Sequence, residues 1–437
     1  MRIRPDCGLV KGADRDRIPP RGAVERGNPT VVIIGAGFGG LRAARALAQA
    51  RARVILLDRR NHHLFQPLLY QVATAGLEPG QIAKPVRAIL RGQENIEFRM
   101  LEVHSVDLAS RSVQTSGGPI PYDYLIFAAG GETDFFGLEG LSHHAFGLKD
   151  VQDAVAIRNH VLSCFEQAIL EEDPSRRSEL LTILVVGGGP TGVEMAGALS
   201  ELIRLVLAKD YPALNLVEVH VVLLEAAERI LPGMPESLGE DAVRQLTAKG
   251  VEVRLGVKVE DYDGTVARVG GEEPIPARTM IWAAGARAAG LAGRMGARVS
   301  RQGRVPVEAA LQLPGHAEVY VIGDAAYLEA DGKPLPMMAP VAIQMAEAAA
   351  DNVRRQMAGK EPRPFRYRDP GSLATIGRNA AVAYIHGIGF RGFPAWVVWL
   401  VVHLIQLIGF RNRLIVLINW AWDYLFYDRG VRLITRE

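Results

Sequence analysis

Two clusters of glycine are the first residues here whose type and spacing do chemistry. Gly35, Gly37, Gly39 and Gly40 follow the apolar run VVII, and Gly187, Gly188, Gly189 and Gly192 follow ILVV. In each case a helical stretch comes next, then a second apolar run ending on an acid, Asp58 in the first copy and Glu225 in the second. In such a strand–turn–helix unit the first glycine permits a tight turn and the second lets the backbone approach a pyrophosphate. The third lets the helix pack on the strand, and the helix N-terminus presents free N–H groups to the anion. The closing acid accepts hydrogen bonds from ribose hydroxyls. A lone Gly-x-Gly-x-x-Gly carries little weight, but the whole constellation occurs twice, so both copies read as dinucleotide sites. Asp58 lies 23 residues after Gly35, the usual separation, whereas Glu225 lies 38 after Gly187, which is long. A carboxylate at Glu225 would repel a 2′-phosphate and so favours NADH over NADPH.

The elements around these turns repeat in order. Each copy continues with short alternating strands and closes on a similar run, YDYLIFAAG through Ala129 and Gly130, and ARTMIWAAG through Ala284 and Gly285. First glycine to closing glycine is 95 residues in one copy and 98 in the other, which marks an internal duplication. The predicted class is therefore α/β, with two Rossmann-like units. Further on, HAEVYVIGDAA carries Gly323 and Asp324. A strand followed by Gly-Asp resembles the second FAD motif of two-dinucleotide-binding flavoproteins of the glutathione-reductase type, where the Asp bonds the ribityl chain. That architecture implies FAD in the first copy, the nicotinamide cofactor in the second, and a chain that returns to complete the first. The expected organisation is a flexible arm over 1–29, a discontinuous FAD-binding domain over 30–150 and 311–370, an NADH-binding domain over 151–310, and a membrane-anchoring region over 371–437.

Composition narrows the acceptor. The 437 residues hold 50 basic and 48 acidic side chains, net +2, so no basic excess points to nucleic acid. Two cysteines, Cys7 and Cys164, cannot build a disulfide framework or a four-cysteine metal site. The segment NHHLFQPLLYQVATAGLEP, where disulfide reductases and peroxidases of this fold carry their redox cysteines, has none. With no thiol relay and no metal site, a bound flavin must pass electrons directly to a diffusible acceptor.

The C-terminus points to a lipid surface. Residues 392–410 form a 19-residue stretch without formal charge, roughly 28 Å long if helical. His403 and Gln406 interrupt it, Pro394 sits near its start, Trp396, Trp399, Trp420 and Trp422 recur, and Arg411 and Arg413 split it from LIVLINWAW. Trp and Arg favour the lipid–water interface, so two short helices lying in that interface fit the pattern. A membrane-crossing helix and buried or dimer-forming core helices are the alternatives.

Six segments together are similar to type II NADH dehydrogenases, the single-subunit, non-pumping NADH:quinone oxidoreductases. These are FQPLLYQVATAG, GGGPTGVEMAG, WAAG, GDAA, APVAIQMAE and GFRNRLIVLINWAWDY, and the likeness extends over about 30–435. The resemblance implies FAD and NADH as cofactors and a quinone acceptor, menaquinone or ubiquinone. It also implies a homodimer attached peripherally to the cytoplasmic face of the cell membrane. It assigns Gly35, Gly37, Phe38, Gly39, Gly40, Asp58, Arg59, Thr74, Ala129, Gly130, Gly323 and Asp324 to FAD. Gly187, Gly189, Pro190, Thr191, Gly192, Val193, Glu225, Ala284 and Gly285 go to NADH, and Pro340, Ile343 and Gln344 to the quinone. Glu194 and Gln344 become the catalytic candidates. Glu194 would contact the nicotinamide or relay a proton, its alternative being a first-turn acid stabilised by the helix dipole. Gln344 would stand beside flavin and quinone, its alternative being a helix-surface residue. Pro340 replaces a glutamine frequent in the family and would wall the pocket through apolar contact. Hydride would pass from NADH to the flavin N5 and the electron pair on to the quinone. The rival readings are a reductase of a protein carrier of the ferredoxin or rubredoxin type and a flavin redox sensor without turnover.

Overall fold

The structure, a computed structural model, describes residues 27–300, 302–426 and 429–435. Most of the arm expected over 1–29, with Cys7, lies outside the described residues.

The two apolar runs become central strands of two sheets, the second parallel and the first parallel except at one edge. A strand buried on both faces can be apolar at every position. In the first copy, β1 (Thr30–Ile34) leads into α1 (Phe38–Ala46) and β2 (Arg53–Asp58). A short helix α2 (Leu69–Ala73), β3 (Ile96–Met100) and β4 (Tyr124–Phe127) follow. The long helix α3 (Val151–Leu170) crosses to the second copy. There β5 (Thr182–Val186), α4 (Pro190–Glu201), β6 (His220–Glu225), β7 (Val251–Leu255) and β8 (Thr279–Trp282) form a sheet in the order β7-β6-β5-β8. The chain then returns: β9 (Gln312–Leu313) and β10 (His316–Val321) join the first sheet in the order β9-β10-β4-β1-β2-β3, and α5 (Ala339–Met357) packs against α1.

The return begins earlier than residue 311. Residues Ala286–Ala288 pair with Gly131–Thr133, and Ala288, Ala292, Met295 and Val305 pack in the core of the first sheet. These positions carry ordinary small and apolar residues, so nothing local announces which core receives them.

The remaining chain makes a third layer. Antiparallel strands β11 (Ser372–Gly377), β12 (Ala380–Ile385) and β13 (Ile388–Arg391) form a small sheet. One face lies on α4, so close that a Cβ on Gly197 would meet the Ile376 carbonyl oxygen at 2.3 Å. The other face receives helix α6 (Gly392–Gln406). The run AAVA in β12 serves both: Ala380 and Val382 join the main core, while Ala381 and Ala383 pack on Ala395 of α6. Helix α7 (Phe410–Phe426) follows.

Among the described residues, no helix is long and apolar enough to cross a membrane. Instead α6 has two apolar faces. Ala395, Trp399 and His403 are buried, and Phe393, Val397, Val401 and Ile405 on the opposite face are exposed. On α7, Phe410, Leu414, Leu417, Ile418, Trp422, Leu425 and Phe426 are exposed as well. The four tryptophans divide: Trp422 lies on this exposed surface, Trp396 stacks on Tyr424 with ring centroids 5.6 Å apart, and Trp399 and Trp420 face inward. His403 and Gln406, three residues apart, also separate into a buried and an exposed residue.

Candidate active site

At the carboxyl ends of β1, β2, β4 and β10 the first set of candidate residues comes together. Gly35 has φ +96°, and a Cβ there would meet the Ala128 carbonyl oxygen at 2.2 Å. A Cβ on Gly40 would stand 1.8 Å from the Gly35 carbonyl oxygen, so helix and strand touch there. Gly37 faces open space at the uncapped start of α1. The Asp58 carboxylate accepts the Ala36 N–H at 2.7 Å and the Arg60 N–H at 2.8 Å, which holds it at the rim of the loop beside exposed Arg59. Phe38 packs edge-on against Phe65 and His63. Thr74 is buried and its hydroxyl donates to the Tyr70 carbonyl at 2.9 Å. Ala129, Gly130, Gly323 and Asp324 follow β4 and β10 at the same edge. Burial raises the Asp324 carboxyl above its usual range, against the opposing pull of Lys149 and Arg304.

The second copy repeats this design. Gly187 has φ +112°, Gly189 faces open space at an uncapped helix start, and a Cβ on Gly192 would stand 1.8 Å from the Gly187 carbonyl oxygen. Glu225 accepts N–H bonds from Gly188 and Ala227, as Asp58 does from Ala36 and Arg60. The longer spacing to Glu225 is taken up by a π-helical turn, Leu202–Leu207, and the loop behind it, which lengthen the crossover without displacing the strand end. Pro190 and Thr191 are exposed in the first turn of α4, Val193 is buried, and Ala284 and Gly285 follow β8. Both loops pass a simple steric test for a dinucleotide: the second glycine is open where a pyrophosphate would lie, the helix N–H groups lack side-chain caps, and a carboxylate waits at the ribose position.

Glu194 is neither in the first turn of α4 nor stabilised as an anion. It sits one turn further in and is 8% exposed. Its Oε1 accepts the Trp399 indole N–H at 3.0 Å and the Thr375 backbone N–H at 3.3 Å. Burial outweighs both bonds and pushes its pKa up to about 8. A helix dipole acting on a first-turn acid would lower it, so that alternative does not describe this residue. The same burial, with Glu194 nearby, keeps the Tyr70 phenol well above its ordinary range.

Glu194 opens onto a cavity of about 130 Å³. Its aromatic side consists of Tyr70, Trp396, Trp399, Trp420 and Tyr424, while Glu201, Arg378 and Arg429 supply charge. The tail stitches the cavity shut on one flank: Arg429 donates to the carbonyls of Thr74 and Ala198, and Trp420 donates to Gln71 at 2.8 Å. The cavity walls come from α2, α4, β11, α6, α7 and the tail, not from the first turns of α5. Pro340, Ile343 and Gln344 sit on α5 instead, and the Gln344 amide is engaged on both sides by the backbone of Arg368, at 2.8 and 3.0 Å. Sequence reasoning did not single out Tyr70, Thr375, Arg429 or the inward role of Trp399. For Trp399 there was a local sign, since Ala395, Trp399 and His403 recur every four residues.

Residues 29–346 match the pyridine nucleotide-disulphide oxidoreductase family, which fits the duplicated dinucleotide units. Residues 370–427 match the NDH2 C-terminal domain. The chain is 41% identical over 428 residues to a type II NADH:quinone oxidoreductase of Mycobacterium tuberculosis, covering 93% of this chain and 90% of that one. It is 30% identical to the type II NADH:quinone oxidoreductase of Staphylococcus aureus, over 84% of this chain and 92% of that one. The fold matches the NDH2 structure of Plasmodium falciparum solved with NADH, with TM-score 0.86, 20% identity, and coverage of 94% and 100%. The chain thus belongs to the type II NADH:quinone oxidoreductases.

Proposed function

We propose that this protein is an FAD-dependent NADH:quinone oxidoreductase working at a membrane surface. FAD bound in the first unit would supply the two-electron chemistry that links hydride from NADH to reduction of a quinone. The balanced reaction is NADH, a proton and quinone giving NAD⁺ and quinol. The observation that carries the reading is Glu194, a buried acid that stays protonated at neutral pH and meets an aromatic cavity at the junction of the nucleotide unit and the apolar helices. Its neutral carboxyl is the acid this chain offers to a quinone oxygen, and the O–H bond formed on the quinol replaces the one broken on Glu194.

Gly35–Gly40, Asp58 and Asp324 of the first unit would hold FAD, and Gly187–Gly192 and Glu225 of the second would hold NADH. The exposed faces of α6 and α7 lie on the cytoplasmic face of the membrane, where NADH is available. Quinone passes from the lipid between these helices toward Glu194, with Pro340, Ile343 and Gln344 on the α5 side. A homodimer is the proposed assembly, and light scattering of the purified protein reads its mass directly.

Steady NADH oxidation by the flavin-loaded protein with a short-chain quinone supports this function. Flavin bleaching by NADH without quinone-dependent reoxidation would refute it and favour the carrier or sensor readings. The cofactor assignment has its own test. Gly189 has open space around its Cβ position, so a side chain added there, as in Gly189→Val, meets no backbone at its Cβ and points to the space where the NADH pyrophosphate would approach. The KM for NADH rises about tenfold or more, roughly 1.4 kcal/mol, with flavin content unchanged. Gly37→Val has the opposite signature, loss of flavin from the purified protein. If Gly189→Val lost flavin, the two sites would be assigned the wrong way round.

A further inference from the structure

The apolar C-terminal region also reaches into the active site. Helix α6 sends Trp399 into the nucleotide unit, 205 residues away in sequence, to donate to Glu194. We infer that Trp399 is a positioning residue for proton delivery: its indole N–H, with the Thr375 N–H, occupies Oε1 of Glu194, so the transferable proton is carried on Oε2, toward the cavity. The inference rests on Glu194 being the proton donor.

The geometry leaves Trp399 little freedom. It is 1% exposed, and its ring stacks on His403 with centroids 4.1 Å apart and an interplanar angle of 25°. Tyr70 and Trp420 bound the other sides, at 6.4 and 5.7 Å. His403 Nδ1 lies 2.8 Å from the Trp399 carbonyl oxygen, so that nitrogen carries the hydrogen and donates. Burial pushes the His403 pKa down to about 4, so the stacked ring is neutral at working pH and brings no cation to the indole. The donor to Glu194 is therefore an uncharged N–H, strong enough to orient the carboxyl but too weak to keep it ionised at neutral pH.

Other titratable and charged groups face the pair from each packed element. Tyr70, from α2, holds its proton well beyond this range. Glu201, two turns along the same face of α4, is ion-paired with Lys249 at 2.8 Å and with Arg429 at 3.6 Å. Arg378 and Asp423 also line the cavity. Docking of the membrane-facing helix thereby completes the proton-handling site.

Trp399→Phe keeps an aromatic ring, though a smaller one, and removes the donor. The kcat–pH profile for quinone reduction then keeps its alkaline limb, with its midpoint moved up by about one pH unit, because the ionised form has lost a hydrogen bond. Glu194→Gln abolishes the limb, and adding Trp399→Phe to it shifts nothing further. A limb that persists in Glu194→Gln would sink the donor reading beneath this proposal. A limb that vanishes in Glu194→Gln but keeps its midpoint in Trp399→Phe would overturn the Trp399 role alone. Because Phe leaves space in a packed core, a second measurement uses the unsubstituted side chain. In ¹⁵N-indole spectra of the flavin-loaded protein, one of the five tryptophan signals titrates with the midpoint of the limb and stops doing so in Glu194→Gln. Five indole signals indifferent to that midpoint would also overturn it.

Discussion

Glu194→Gln lowers quinone-dependent turnover by about 10²-fold or more, the usual loss when a positioned general acid is removed. The alkaline limb expected of wild type, set by the Glu194 pKa of about 8, disappears with it. Stability moves the other way. The folded carboxyl keeps its proton up to about pH 8, whereas a solvated one releases it near 4.5. Stability therefore declines as pH rises from about 4.5 to about 8 and is level above that. Glutamine carries no charge to bury and escapes the decline. A displacement of about 3.5 units corresponds to at most roughly 5 kcal/mol, so the variant unfolds at higher denaturant concentration than wild type at pH 9, with no such gain at pH 4. An acid kept only for structure would not combine lost turnover with gained stability. Chemical denaturation at the two pH values, with stopped-flow kinetics of the quinone half-reaction, decides the matter. Wild-type turnover in a well-folded Gln variant would remove Glu194 from the chemistry.

Charging the exposed apolar stripe detaches the protein from lipid. Val401, Ile405, Ile418 and Leu425 are 50%, 62%, 55% and 67% exposed, so an aspartate at each disturbs little packing inside the fold. Each side chain, already half covered by protein, loses about 1 kcal/mol of burial against lipid. Four such losses weaken vesicle partitioning roughly a thousandfold, and more on anionic vesicles, where the new charges are repelled. Cosedimentation with phosphatidylglycerol–phosphatidylethanolamine vesicles reads the change, with flavin absorbance as the control for folding. Complete pelleting of the quadruple variant would show that this stripe is not the lipid contact. Deleting residues 392–437 is a poorer test. It removes Trp399 from Glu194, Trp420 from Gln71 and Arg429 from Thr74, and so opens the site as well as removing the apolar stripe.

Local chemistry made part of this molecule legible. A turn that needs φ near +100° at Gly35 and Gly187, and no Cβ at Gly40 and Gly192, can be met only by glycine, so both nucleotide loops stand out in the residues themselves. The acids that close the adjacent strands, the lack of a cysteine pair and the Gly323-Asp324 turn are local in the same way. So is the unusual apolar character of 392–426, although sequence could not tell which of its faces is left exposed and which is buried against protein. Tertiary structure alone decided the pairings that make the site, Trp399 with Glu194 and Trp420 with Gln71, and it alone tied the Gln344 amide, outside the cavity, to the backbone of Arg368. Periodicity tells which residues share a face. What that face meets depends on strand order and on crossovers that bring together segments hundreds of residues apart, and neither leaves a mark at the position itself.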